Sequence, residues 1–130
     1  MSFEPVYAHA PGQSSAALST KHNLLLTTGP DLLLNAFPLT TRPHHPHTIS
    51  TADPPAECRP HSSSCSSCLA CDGDVVVSGG GGGEVVVLRL PDLQFDKIAM
   101  QFGLAVRAVA VSSGARFIAA AGEYHIFILY

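Results

Sequence analysis

The sequence has no tryptophan and few charges: only 13% of its 130 residues are charged, seven Lys plus Arg against ten Asp plus Glu. So few basic residues argue against a nucleic-acid-binding face, because displacing phosphate counterions takes a clustered Lys/Arg surface. No stretch approaches the roughly 18 consecutive apolar residues of a membrane-spanning helix. No amphipathic segment of roughly ten or more residues is present either, which removes the crossover helices that a parallel α/β sheet requires. The first residues, Met1-Ser2-Phe3-Glu4-Pro5, lack the basic start and apolar stretch of a secretory leader. The expected setting is therefore cytosol or nucleus, where the four cysteines stay reduced.

What is present is apolar and punctuated: 46% hydrophobic residues, with eleven Gly and ten Pro, a composition unsuited to an all-helical domain. The pattern repeats. Ser14–Ser19, Leu24–Gly29 and Asp31–Phe37 form one set of short apolar runs separated by turns. Ser66–Cys71, Asp74–Gly80 and Glu84–Leu90 form a second, and Val106–Val111, Arg116–Gly122 and His125–Tyr130 a third. The intervening turns, Lys21-His22-Asn23, Cys71-Asp72-Gly73 and Ser112-Ser113-Gly114-Ala115, carry residues that tolerate positive φ or cap their own backbone. Gly80 and Gly122 stand 42 residues apart, close to the ~40–45 of a WD repeat. Gly29 and Gly80 stand 51 apart, with the surplus in an insertion.

The runs Leu24-Leu25-Leu26, Val75-Val76-Val77 and Val85-Val86-Val87 are continuous rather than alternating. Successive side chains of a strand point to opposite faces, so such runs predict strands buried on both. Propeller blades stacked around an axis bury their inner strands in this way. The expected fold is all-β: a partial WD-repeat-like β-propeller of about three blades. Blade one would span about 6–52, a Pro/His/Ser-rich loop about 38–65, blade two about 66–103 and blade three about 104–130. A β-sandwich stays open as the alternative.

Six of the ten prolines fall at Pro38 or between Pro43 and Pro60, which predicts a solvated, extended loop, with Thr48-Ile49-Ser50-Thr51 as the candidate outer strand of blade one. Near it lie the candidate metal ligands: Cys58, His61, Cys65 and Cys68, with Cys71 and the cluster His44-His45-Pro46-His47. Cys68 and Cys71 have the spacing of a zinc knuckle. On a strand, however, positions three apart face opposite sides, and a second cysteine pair is missing. Buried small hydrophobes are the better account, so no metal is expected. The run Gly79–Gly83 lacks the Lys-Ser/Thr and following helix of a phosphate loop and reads as a flexible hairpin turn. No serine lies in a Gly-x-Ser-x-Gly elbow. Asp72, Asp74, Glu84 and Asp92 sit at turn edges. No enzyme and no cofactor are expected.

Ala8-His9, Gly12, Ala16–Ser19, Leu24–Gly29 and Asp31 resemble the first blade of the replisome adaptor that couples helicase to DNA polymerase alpha. That family is known as the chromosome transmission fidelity protein, the acidic nucleoplasmic DNA-binding protein, or the WD repeat and HMG-box DNA-binding protein. Ser67–Ala70, Val75–Gly79, Glu84–Val87 and Leu90-Pro91 are similar to its second blade, followed by Ile98–Met100, Val106–Val111 and Phe117–Gly122. The sequence departs from the family pattern in having no Trp-Asp signature; Asn35-Ala36 stands where one is sought. The resemblance implies a nuclear, chromatin-associated scaffold in DNA replication and sister chromatid cohesion. Its partners would be proteins such as DNA polymerase alpha and helicase, without direct nucleic-acid binding. The family's trimerisation and polymerase-docking domains have no counterpart in these residues. A protein-interaction scaffold in another complex and a Cys/His-rich zinc module are the alternatives. The apolar close at His125–Tyr130 reads as a truncated gene product, and three blades alone are expected to expose Val/Leu-rich surface and to aggregate or need a partner.

Overall fold

The computed structural model describes residues 12, 15–40, 48–49, 56–61 and 66–129, which form three antiparallel sheets. Among the described residues there is no α-helix, only a 3-10 turn at Ser113–Ala115.

The first sheet runs β1 (Ser15–Ser19), β2 (Leu24–Thr28), β3 (Leu34–Thr40) as a meander. Two short strands then share the far edge of β3: β4 (Thr48–Ile49) opposite Leu39–Thr40, and β5 (Ala56–Cys58) opposite Leu34–Ala36. The sequence reading assigned Ala56–Cys58 to the loop, whereas it forms part of the sheet. Ser50 and Thr51 lie outside the described residues.

The second sheet is β6 (Ser66–Asp72), β7 (Val75–Gly80), β8 (Glu84–Arg89) and β9 (Gln94–Gln101). The third is β10 (Ala108–Val111), β11 (Ile118–Ala121) and β12 (Ile126–Leu129). The first turn of each sheet uses a left-handed residue that the local sequence supplies: Asn23 at φ 56°, Gly73 at 56° and Gly114 at 74°. Asn23 also spends its side chain on the turn, its Nδ2 donating to the Leu39 carbonyl at 2.7 Å.

Strands β1, β6 and β10 touch in succession, so the three sheets stack side by side along their first strands. Two cores result. Leu24, Leu26, Leu34 and Ala36 of the first sheet meet Leu69, Val76, Val86 and Leu88 of the second. Cys68, Val77, Val85 and Val87, on the other face of the second sheet, meet Val106, Val109, Ile118 and Ala120. This explains the unbroken valine runs. In Val85-Val86-Val87 the outer two side chains feed one core and the middle one feeds the other, and all are at most 2% exposed. Each such valine contributes about 1.5–3 kcal/mol of burial. Both layers of the stack therefore depend on the central sheet.

Candidate interaction sites

Three places in the stack bring chemistry-bearing side chains together. The first is buried. His61, just after β5, lies between β7 and β8: its Nδ1 is 2.7 Å from Glu84 Oε2 and its Nε2 is 2.8 Å from Ser78 Oγ. A carboxylate can only accept, so Nδ1 carries a hydrogen. Burial pushes the imidazole pKa below the ordinary histidine value, and the Glu84 carboxylate only partly opposes that shift. In the neutral ring that burial favours, Nε2 accepts from the Ser78 hydroxyl. A Cβ at Gly80 would stand 2.5 Å from His61 Nδ1 and 2.6 Å from Glu84 Oε2, so only glycine lets the ring and carboxylate meet across this strand. Gly83, at φ +98°, turns the chain, and its carbonyl takes the Phe102 amide at 2.7 Å. The glycine run read as a flexible hairpin turn is therefore packed: Gly79 and Gly80 belong to β7, and the tight part begins only at Gly81.

The connectivity Ser78–His61–Glu84 is that of a serine hydrolase triad. Ser78 is 0% exposed and His61 2%, so no carbonyl substrate can reach the hydroxyl in this structure. The arrangement ties the segment ahead of β6 to the turn between β7 and β8. It is a structural clasp.

That clasp also uses the imidazole among the candidate metal ligands. Cys58 packs against the core between the first two sheets, and Cys68 lies in the core between the second and third. Cys71 faces the first core, on the opposite side of β6 from Cys68, and its thiol is 3.0 Å from the Leu18 carbonyl. Burial raises the Cys58 pKa to about 11; the Cys71 thiol is raised by burial and, less, by Asp72. The structure thus separates Cys58, His61 and Cys68, and no three His, Cys, Asp or Glu converge among the described residues. Cys65, His44, His45 and His47 lie outside them.

The second place is the turn end of the stack, where acids of the central sheet reach both neighbours. Asp74 accepts from Lys21 at 2.8 Å and pairs with His22 at 2.7 Å, and Asp72 accepts the Gly114 amide at 2.6 Å. Lys21 first, then His22, hold the Asp74 carboxyl below its ordinary pKa. The cleft here, about 420 Å³, mixes Lys21 and Lys97 with Asp72 and Asp96 and has no single sign of charge to select a ligand. These carboxylates serve as ties between neighbouring sheets.

The third place is the opposite end. A hollow of about 400 Å³ lies between the end of β9 and the β11–β12 turn, lined by Phe102, Leu104, Glu123, Tyr124, His125 and Phe127 among others. Its floor is ordered. Phe102 and Phe127 meet at 5.3 Å between ring centroids, His125 stacks on Phe127 at 5.9 Å, and the Gly122 amide closes the turn onto the His125 carbonyl at 2.9 Å. Gln101 Nε2 donates to the carbonyls of Gly82 and Phe102, which fixes the rim. Tyr124 is 77% exposed and Leu104 51%, beside the exposed Glu123. Exposed aromatic and aliphatic side chains around a concave, partly polar rim suit the capture of an apolar side chain from another protein. Sequence reading named His125–Tyr130 as a third-copy run and an apolar close, and assigned none of these residues to a site. Its one available signal was the gathering of aromatics toward the C-terminal third.

Among solved structures, the WD40 β-propeller domain of Doa1 is similar to this chain with a TM-score of 0.68 and 18% identity, over 88% of this chain and 36% of that one. A chain of the mitotic checkpoint complex gives 0.69 and 16%, over 94% and 37%. The computationally designed Ika4 protein gives 0.53 and 14%, over 100% and 99%. The chain thus spans little more than a third of the first two. No protein-family model matches it, and no curated protein does. These likenesses show the fold: an all-β stack of WD40-type propeller blades, the three sheets being blades one, two and three. The sandwich alternative falls.

Proposed function

We propose that this chain is a non-catalytic protein-interaction scaffold, that it works in the nucleus, and that its partners belong to the machinery of DNA replication and sister chromatid cohesion. The WD40 propeller fold supports the scaffold reading. The observation that carries it is the aromatic hollow at Phe102, Tyr124 and Phe127, where an ordered apolar floor meets an exposed rim. The replication role rests on the residues that resemble the replisome adaptor, Leu24–Gly29, Val75–Gly79 and Phe117–Gly122 among them. Glu123 beside the hollow favours a partner segment with a basic residue next to its apolar anchor.

Purified chain, immobilised and offered purified DNA polymerase alpha and replicative helicase in turn, tests this. Binding to either one, weakened at least about tenfold by Tyr124→Ala, is the expected result; truncating an interface anchor of this type commonly costs that much. Failure to bind both, together with exclusion of the tagged chain from nuclei, would refute the replication role. Binding that ignores Tyr124→Ala would place the site elsewhere on the stack.

A further inference from the structure

The turns that join the second strand to the third in blades two and three correspond by register. Gly79 pairs with Val85 in blade two and Ala121 with Ile126 in blade three, so Gly80 matches Gly122 and Ser78 matches Ala120. Blade two fills its turn with Gly81-Gly82-Gly83 and seats His61 against it, held by Ser78 and Glu84. Blade three has neither device. Ala120 offers no hydroxyl, and the turn carries Glu123, Tyr124 and His125 instead of glycines. A Cβ at Gly80 would strike the His61 ring, whereas one at Gly122 would meet only two carbonyl oxygens, at 3.7 and 4.0 Å. The space filled by a histidine beside one turn is open beside the other.

The resulting hollow lies between blades two and three. Phe102 and Leu104 come from the connection that leaves β9, and Glu123, Tyr124 and His125 from the β11–β12 turn. Phe127 stands opposite Ala120 in the ladder, and Ala120 shares a core with Val77, Val85 and Val87, so Phe127 faces blade two. There its ring meets Phe102 at 5.3 Å and 33°, and His125 lies parallel to it within 9°. Aromatic faces attract a cation held within about 6 Å of them. Among the described residues no Lys or Arg lines the hollow, and Glu123 adds a carboxylate. The lining is complementary to positive charge.

The lining also distinguishes between cations. An unmodified lysine brings three N–H donors that need acceptors. Here the Phe102 carbonyl already accepts from Gln101 and the His125 carbonyl from the Gly122 amide, which leaves Glu123 as the charged acceptor. Trimethylation removes all three donors, keeps the charge and surrounds it with methyl groups that pack on rings. We propose that this hollow binds a trimethylated lysine of a partner protein. The inference rests on the reading of the hollow as a protein-docking site and narrows it: the apolar anchor and the basic residue are one side chain. A volume of about 400 Å³ takes the head group with its methylene stem.

Fluorescence anisotropy with the full 130-residue chain tests it. Labelled peptides of one sequence carry lysine, trimethyllysine or its neutral tert-butyl isostere at the central position. Trimethyllysine is expected to bind at least about threefold tighter than either other peptide, the gain of a cation on aromatic faces. Tyr124→Leu keeps an apolar side chain without the ring and is expected to reduce that preference. Glu123→Gln is expected to weaken trimethyllysine and leave the neutral isostere unchanged. Both residues are exposed on a turn, so each variant should keep the parent circular dichroism spectrum. Equal affinity for lysine and trimethyllysine would overturn the proposal. So would equal affinity for the neutral isostere, a result that leaves the hollow a plain apolar anchor site and the scaffold reading intact. Binding to none of the peptides would overturn it too, and capture of polymerase alpha or helicase then judges the scaffold reading by itself. A preference unchanged in both variants would overturn the assignment to this hollow.

Discussion

Removing the Ser78 hydroxyl probes the buried clasp with the least disturbance, because Ser78→Ala deletes one atom from a side chain that is 0% exposed. The hydroxyl supplies the hydrogen that His61 Nε2 accepts at 2.8 Å, while Nδ1 is committed to Glu84 at 2.7 Å. Without it, Nε2 is a buried acceptor with its partner gone, a loss worth about 1–3 kcal/mol. That is roughly a 5- to 150-fold fall in the ratio of folded to unfolded chain. Urea unfolding followed by circular dichroism, at one fixed protein concentration, reads the difference.

The pH dependence gives a second, sharper test of the same clasp. The folded pKa of His61 lies below the ordinary value of 6.5, chiefly from burial. Between the two values the unfolded chain binds more protons, so stability rises with pH through that window. This contribution is complete above about 6.5 and is lost as pH falls below it. Ser78→Ala leaves in place the burial that lowers this pKa, and the hydroxyl it removes can donate to the neutral ring or accept from the protonated one. The gap between parent and variant should therefore stay nearly constant from pH 7.5 to pH 5.5. A loss under about 0.5 kcal/mol at pH 7.5 would refute the hydrogen-bond assignment. So would a gap that widens on acidification.

Two further outcomes are expected. Asp74→Asn should lower the melting temperature slightly at low ionic strength, with the difference vanishing near 1 M salt, because the Lys21 and His22 ties at 2.8 and 2.7 Å are solvent-exposed. The depressed Asp74 pKa sets the window: the contribution is present above the ordinary 3.8 and is lost as pH falls through the folded value. For Cys58, whose pKa is pushed up to about 11, peptide mapping after iodoacetamide treatment at pH 8 should show little labelling in the folded chain and full labelling in urea. Equal labelling in both states would contradict the burial of that thiol.

The repeat, the strand type and the two-sided burial were legible along the chain, because they are local. A run such as Val75-Val76-Val77 says that both faces of its strand are covered, whatever covers them. Left-handed turn residues such as Asn23 and Gly73 mark the hairpins for the same reason. His61 was different. In sequence it stood beside Cys58, Cys65 and Cys68 and looked like a ligand, while Ser78 and Glu84, its actual partners, lie 17 and 23 residues away. Only the pairing of β7 and β8 brings them to the ring, and only the absence of a Cβ at Gly80 leaves room for them. The outer edge of blade one followed the same rule, since two short pieces on either side of Pro54-Pro55 find β3 by register rather than by composition. The aromatic hollow likewise joins residues near 102 to residues near 125 through blade packing. Local side-chain alternation and turn chemistry are written into neighbouring residues, but which distant groups share a site depends on how the sheets stack.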